Sequence, residues 1–478
     1  MFDELYINDY CNFNTFRMVF PDKKTKDCAN LNLIVGKNGS GKSSLLDALF
    51  EIGEYNLKDN IEQIDNTRFE YKITKENKIV CTNMEINSLE EFSKKDRSSY
   101  LWDAVIRLHT GHTARQYYSH RANIYSLATN TTKWALLAYI ASGIWSHLEN
   151  NSEDFLLWEK LQDIIFGNNN HIQPQIIWLD VKKEHDDEID KSVIRDIREP
   201  DSSMYIGNNI TRYFWNLKNP IIIEPNGTNI KQDKINPLPL LATFLSKIDP
   251  IKISNDMNGR YVDTGFLYKQ GASDKLYPDS FLSDGEHGFL TRFALLMLLK
   301  EENLNYDKHY LILLDEPETH FNENWKTSFL NLVCKVFANT NHDIFIATHS
   351  AMLVTDAKED EIHRLENLSS GIIHYPVPIK TYGANIVDIG RALFKMESDI
   401  GERVKNEIKA ALKGVKEIKD KENDEERISI KDQKEKLNQL LKQVGPGEWR
   451  WRIRSKINQI EQRENCYYLR DKNNDKNS

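Results

Sequence analysis

Gly36-Lys37-Asn38-Gly39-Ser40-Gly41-Lys42-Ser43 matches in full the pattern GxxxxGK[ST] of a phosphate-binding loop. Its flanks agree with that reading. The apolar run LNLIV (31–35) precedes it as a strand, and SLLDALFEIG follows with helical spacing. Glycines let the backbone of Gly36, Asn38, Gly39, Ser40, Gly41 and Ser44 turn its N–H groups toward phosphate oxygens. The helix N-terminus adds partial positive charge. Lys42 is then expected to reach the β- and γ-phosphates, and the Ser43 hydroxyl to ligate Mg²⁺.

Further along the chain, LILLDEPETH (311–320) reads as a buried strand that delivers two carboxylates at its end. Asp315 is expected to hold Mg²⁺ with Ser43, and Glu316 to act as general base toward water. DIFIATHS (343–350) is a second buried strand ending at His349, a candidate contact for a γ-phosphate. Ser283-Asp284-Gly285-Glu286 opens an apolar helix, FLTRFALLMLLK. Taken alone, that tetrapeptide is a helix cap, with Ser283 at the N-cap and Glu286 three residues on. Lying 32 residues before Asp315, it also reads as a second phosphate-facing helix start. Strands alternating with helices imply an α/β fold with a largely parallel sheet.

Composition narrows the class. The chain has 478 residues, which at roughly 150 per domain suggests about three domains. Hydrophobic residues make up 40%, enough for a core, which excludes global disorder. No apolar run approaches the roughly 18 residues of a membrane span. The N-terminus shows no basic segment followed by an apolar one. Cys11, Cys28, Cys81, Cys334 and Cys466 are far apart with no CxxC spacing, as expected of reduced thiols in the cytoplasm. Residues 401–478 hold 20 Lys and Arg against 15 Asp and Glu, leaving 43 against 57 for the rest. An acidic body thus carries a basic tail, a place for a nucleic acid or protein partner or a solvated helical face. Within it, Glu448-Trp449-Arg450-Trp451-Arg452-Ile453-Arg454 interleaves tryptophan with arginine, which suits base stacking, a protein hot spot or an amphipathic helix.

These motifs, in this order, resemble the ABC-type ATPase core of the SMC/RecF/OLD-like branch. The resemblance implies two ATP molecules sandwiched between two heads. Ser283, Gly285 and Glu286 would act in trans on ATP held by Lys42, Ser43, Asp315, Glu316 and His349. The segment Pro317-Glu318-Thr319-His320-Phe321-Asn322 is similar to that branch's EPExHLxP-type loop and departs from it at Asn322 and Glu323. Gln116 is the candidate for the family's glutamine loop and a further Mg²⁺ contact. Lys42 and Asp315 are 273 residues apart, so an insertion separates two halves of one head. The expected organisation is 1–95 for the first half of the head and 96–275 for a mainly helical, partly irregular insertion. The second half then occupies 276–395, and a helical, partner-binding region 396–478. Residues 101–165 read as helical and 220–262 as irregular.

YYSHRANIYSLATNTTKWALLAYIASG (117–143), TYGANIVDIGRALFKMESDIGERV (381–404) and VGPGEWRWRIRSKI (444–457) resemble the ATPases of bacterial anti-phage systems. The PtuA type of Septu and retron-associated modules is the nearest. That resemblance implies a homodimer or higher oligomer that regulates a separate nuclease, often of HNH type. Three neighbouring readings are a RecF/SMC-like DNA-repair ATPase, a PARIS-like sensor holding a TOPRIM-type effector, and an anticodon-nuclease relative. The last needs a histidine in the C-terminal region, and 395–478 has none. A TOPRIM domain within this chain needs a DxD pair, which is also missing after 395.

Overall fold

The computed structural model describes residues 3–20, 29–58, 69–75, 78–82, 101–109, 117–119, 124–128, 132–141, 153–182, 200–207, 210–217, 261–306, 308–396, 398–413 and 424–474. Two compact units divide the chain, Met1–Lys395 and Met396–Ser478.

The first unit begins with β1 (Glu4–Asn8), β2 (Phe16–Val19), β3 (Asn30–Val35), α1 (Lys42–Lys58), β4 (Glu70–Lys75) and β5 (Lys78–Thr82). Next come β6 (Ala104–His109), β7 (Tyr117–Ser119), β8 (Ile124–Ala128), α2 (Thr132–Ala141) and α3 (Glu153–Phe166). β9 (Ile172–Lys182), β10 (Ser202–Gly207), β11 (Ile210–Asn216), β12 (Tyr261–Gln270), β13 (Tyr277–Pro278) and α4 (Asp284–Tyr306) follow. The unit continues through β14 (Tyr310–Asp315), α5 (Glu323–Val336), β15 (Asp343–Thr348), α6 (Ala351–Thr355), β16 (Ile362–Leu368), β17 (Gly371–Tyr375) and α7 (Ile386–Leu393).

Its main sheet has the order β17-β16-β3-β15-β14-β6-β8-β7. The inner pairings are parallel, and only the outer β17 and β7 run antiparallel to their neighbours. This is the mixed, largely parallel α/β sheet that the sequence predicts. Strand side chains alternate between faces. Ile34, Val105, Leu311, Leu313, Phe345 and Ala347 enter one core, together with Leu45, Leu46 and Leu49 of α1 and the antiparallel sheet β2-β1-β4-β5. Leu33, Val35, Ile106, Ile312, Leu314, Ile344 and Ile346 enter the opposite core with α2, α4 and α5. Strands buried on both faces read as unbroken apolar runs, which is why LNLIV and LILL are recognisable from sequence.

The mainly helical insertion over 96–275 needs correcting. Among its described residues β6, β7 and β8 belong to the main sheet, and β9 to β12 form most of a second, antiparallel sheet ordered β10-β11-β9-β12-β13. Among the described residues of 96–275, only α2 and α3 are helical. The helical reading of 101–165 therefore fails over 104–109, 117–119 and 124–128. Six- and five-residue apolar runs carry too little period to separate strand from helix. Most of 220–262 lies outside the described residues.

The second unit contains α8 (Glu402–Lys413), α9 (Asp424–Gln443) and α10 (Glu448–Asn474). Ile408, Leu437, Leu440, Trp449, Ile453, Ile457 and Ile460 form its core. Trp449 donates its indole N–H to Asp399 Oδ1 at 2.9 Å, whereas Trp451, two residues on, is 68% exposed. No helix among the described residues is long and apolar enough to cross a membrane.

Candidate functional site

Parallel register brings the sequence motifs to one edge. Thr348 of β15 pairs with Val35 of β3, and Asp315 of β14 pairs with Ala347 of β15. The loops leaving the carboxyl ends of these three adjacent strands carry Gly36–Ser43, Glu316 and His349, the usual location for a ligand site on an open α/β sheet. β3 leads into a loop whose Gly36, Gly39 and Gly41 all have positive φ. At Gly41 (φ 94°) a Cβ would stand 2.2 Å from Ile372 Cδ1, so the close approach as well as the dihedral requires glycine.

Lys42 folds back into the loop. Its ammonium donates to the carbonyls of Gly36 and Lys37, both at 3.2 Å, and lies 2.6 Å from His349 Nε2. Burial pushes Lys42 down to about 8, against the pull of Glu316, Asp315 and Glu318. Burial, with help from Lys42, lowers His349 to about 4. The imidazole is therefore neutral at physiological pH, and its Nε2 lone pair accepts from Lys42. Glu316 Oε1 stands 3.3 Å from the same nitrogen with no proton between them, so this contact is not an ion pair. The Ser43 hydroxyl donates to Asp315 Oδ1 at 3.1 Å. Burial raises Asp315, while the Ser43 bond and Arg107 pull it back down.

Glu316 takes a left-handed backbone, φ 48°, which for a side-chain-bearing residue costs about 1–2 kcal/mol. The turn is held open by named bonds. Glu316 N–H donates to Ala347 O at 2.8 Å, and the Thr319 N–H and hydroxyl return to Glu316 O at 3.0 and 2.8 Å. The strain faces the carboxylate out of the strand toward the loop 36–43.

Ser283 and Glu286 form the capping box expected from their spacing. Ser283 N–H and Oγ donate to Glu286 Oε2 at 2.7 and 2.8 Å, and Glu286 N–H donates back to Ser283 Oγ at 3.3 Å. Gly285 packs on the 316–320 loop of its own chain, where a Cβ would sit 2.9 Å from His320 O. Among the described residues, no hydrogen bond joins this helix start to the phosphate loop of the same chain. Gln116 lies outside the described residues.

Two participants escape the sequence reading, and a third, Glu318, enters it only as part of the 317–322 segment. Arg107 of β6, an arginine inside an apolar strand, pairs with Asp47, donates to Ser43 O at 3.4 Å and lies 4.0 Å from Asp315. Arg292 of α4 donates to Thr319 O at 2.9 Å. Glu318 is buried beneath the loop and accepts from the Thr348 hydroxyl. The oddity of a charge within an apolar run is the one signal that points to Arg107.

The donor set fits a magnesium nucleotide. One hydroxyl and one carboxylate, Ser43 and Asp315, suit a cation that keeps waters and phosphate oxygens as its other ligands. Among the described residues, no group of three or more His, Cys, Asp or Glu forms a metal site of its own. Lys42 is held by carbonyls and a neutral imidazole, partners that an anionic phosphate outcompetes.

Residues 31–356 match the family model described as "AAA domain, putative AbiEii toxin, Type IV TA system", a span that includes Lys42, Asp315, Glu316 and His349. The chain belongs to this AAA-domain family. A relative within reach of this AAA-domain chain is "Retron Vc95 probable ATPase" of Vibrio cholerae serotype O1 biovar El Tor. It is 24% identical over 409 residues, covering 75% of this chain and 72% of the relative. Among solved structures, "SMC head domain from Thermotoga maritima" aligns at 14% identity over 79% of this chain and 99% of that one, with a TM-score of 0.34. "Structure of the recombination mediator protein RecF-ATPrS in RecFOR pathway" aligns at 13% identity over 78% and 97%, with a TM-score of 0.29. Likenesses at these scores carry no weight for function, and the fold of the AAA-domain chain rests on its own strand order.

Proposed function

We propose that this chain is a Mg²⁺-dependent ATPase of ABC type that dimerises or forms a higher oligomer on ATP and regulates a separate nuclease in anti-phage defence. The observation that carries the ATPase reading is the meeting of Lys42, Ser43, Asp315, Glu316 and His349 at the ends of three adjacent parallel strands. Lys42 and the loop N–H groups bind the phosphates. Ser43 and Asp315 would hold Mg²⁺, which when bound would offset charge on the phosphate oxygens. Glu316 accepts a proton from water as that oxygen attacks the γ-phosphorus, the bridging P–O bond breaks, and ADP carries away the electron pair. Once Lys42 turns to the nucleotide, the neutral His349 imidazole takes the tautomer with its proton on Nε2 and donates a hydrogen bond to the γ-phosphate.

The dimer reading is supported by Ser283, Gly285 and Glu286 starting a helix that makes no hydrogen bond to its own phosphate loop among the described residues. A second copy would supply those groups in trans. The defence assignment, and within it the PtuA type of Septu and retron modules with an HNH-type nuclease, is supported by the retron relative and by the sequence stretches quoted above. The basic C-terminal unit is the proposed partner surface.

The test is direct. Glu316→Gln is expected to bind ATP and lose turnover, and Lys42→Ala to lose nucleotide binding itself. Normal turnover by Glu316→Gln would overturn the base assignment. Mass spectrometry of proteins co-purifying with the native chain tests for the nuclease, and its absence from an otherwise active complex would remove the regulatory reading.

A further inference from the structure

Glu318 stands two residues past the proposed base, yet unlike Glu316 its side chain is buried in the protein. The residue is 6% exposed, and its Oε2 has no hydrogen-bond partner among the described residues. Oε1 accepts from the Thr348 hydroxyl. That hydroxyl in turn accepts from Ser350 N–H at 2.9 Å, which fixes its proton on the carboxylate side. The acceptor therefore grips the last residue of β15 and, through it, the backbone on both sides of His349. Burial pushes Glu318 upward, opposed by the Thr348 hydroxyl, its own backbone N–H and that of His349. A carboxylate so placed is costly for folding. Leucine or methionine would fill such a site with less penalty, so packing alone does not account for a carboxylate there.

Two further ties reach the same loop from the opposite side. Arg292 of α4 donates to Thr319 O, and the signature glycine, Gly285, abuts His320 O. Arg292 is lowered by burial to about 10 and stays cationic at neutral pH. The loop 316–320 is thus clamped between the helix that begins at Asp284 and the strand that ends at Thr348.

We propose that Glu318 is a positioning residue for hydrolysis: its buried carboxylate, bonded to Thr348, holds the loop bearing Glu316 in register with the loop bearing His349. The inference rests on the ATPase reading above. Without the bond, the Glu316 and His349 side chains, now 3.3 Å apart, lose their fixed separation while the phosphate loop keeps its own contacts.

The test uses the full chain and three variants, Glu318→Ala, Glu318→Gln and Thr348→Val. Glu318→Ala is expected to leave ATP affinity within about threefold and to lower kcat by roughly 10- to 100-fold, the scale of a misplaced catalytic group. Glu318→Gln keeps a carbonyl oxygen toward Thr348 and is expected to restore kcat to within about threefold. Thr348→Val removes only the donor and is expected to lower kcat without changing affinity. The nucleotide-free protein supplies an independent readout. The His349 side-chain NMR resonances, assigned by comparison with His349→Asn, are expected to shift in Glu318→Ala and to return in Glu318→Gln.

Wild-type kcat in Glu318→Ala, or in Thr348→Val should the alanine variant not fold, would overturn the inference. So would parallel losses of affinity and kcat that glutamine does not rescue, which mark a purely structural role. Failure of the wild-type chain to hydrolyse ATP would instead sink the underlying ATPase reading, while the His349 resonances still report on the contact itself.

Discussion

Substituting Gly285 by alanine sets two effects of opposite sign against each other. Helix propensity favours Ala over Gly by about 1 kcal/mol in an interior position, and by less near a start such as that of α4. Sterics oppose it. The added Cβ would stand 2.9 Å from both His320 O and Trp325 Cζ3, against ordinary contacts of roughly 3.4–4 Å. Neither neighbour is a free side-chain tip. The His320 carbonyl belongs to a backbone at φ 71°, and Trp325 is pinned by its indole bond to Ile164 O at 2.9 Å and its N–H bond to Asn322 Oδ1 at 2.8 Å. A shift of about half an ångström must be absorbed by the loop that carries Glu316, a strain of about 1–3 kcal/mol. The clash outweighs the propensity, so Gly285→Ala is expected to lower stability in denaturant titrations and to depress kcat in the monomer's own loop. A variant as stable as the wild type, or more stable, would refute this packing role and leave Gly285 only the part proposed for it at a partner's nucleotide.

Two other outcomes follow from buried aromatic groups. His342 is fully buried, stacks on Tyr310 with ring centroids 4.7 Å apart, accepts from Tyr310 N–H at 3.2 Å, and is held neutral by burial and His309 at a pKa of about 3, with Asp343 opposing. Its folded pKa lies below the unfolded value of 6.5, so the unfolded chain binds more protons between them. Stability is full above pH 6.5 and falls on acidification at up to about 1.4 kcal/mol per pH unit. His342→Asn, which retains an acceptor toward Tyr310, should flatten that slope in denaturant midpoints at pH 7.5, 6 and 5. In the second unit, Trp449→Ala should cost about 3–5 kcal/mol and raise hydrogen exchange in α8 to α10. The exposed Trp451→Ala should change it by no more than about 0.5 kcal/mol.

How much of this was legible beforehand depended on range. Gly36–Ser43 and the runs at 31–35, 311–315 and 343–348 are short-range signals, since fixed glycine spacing and strands buried on both faces write themselves locally. β6 and β8 escape the sequence because AVIRLH and IYSLA are too short to carry a period that separates strand from helix. The second sheet was lost because β9 pairs with β12, about ninety positions downstream in sequence, and nothing local announces such a partner. The same holds for the site. Asp315, Glu316 and His349 declare themselves at strand ends, whereas Arg107 needs Asp47 and Glu318 needs Thr348, and each pairing exists only after the sheet has assembled.

That asymmetry has a mechanistic consequence. The groups proposed to touch the nucleotide can be reached from three strand ends, but the spacing between them is set by buried contacts from elsewhere. Gly285 and Arg292 bring the signature helix against the 316–320 loop, and Glu318 joins the loop to the end of β15. A well-packed interior shifts between discrete arrangements and does not deform smoothly. If a partner's nucleotide pulled on Ser283, α4 would move against this loop, and the displacement would reach Glu316 and His349 together through those three contacts. Hydrolysis in one site would then depend on occupancy of the other. The dependence would run through the backbone of residues 316–320, with no need for the two nucleotides to meet.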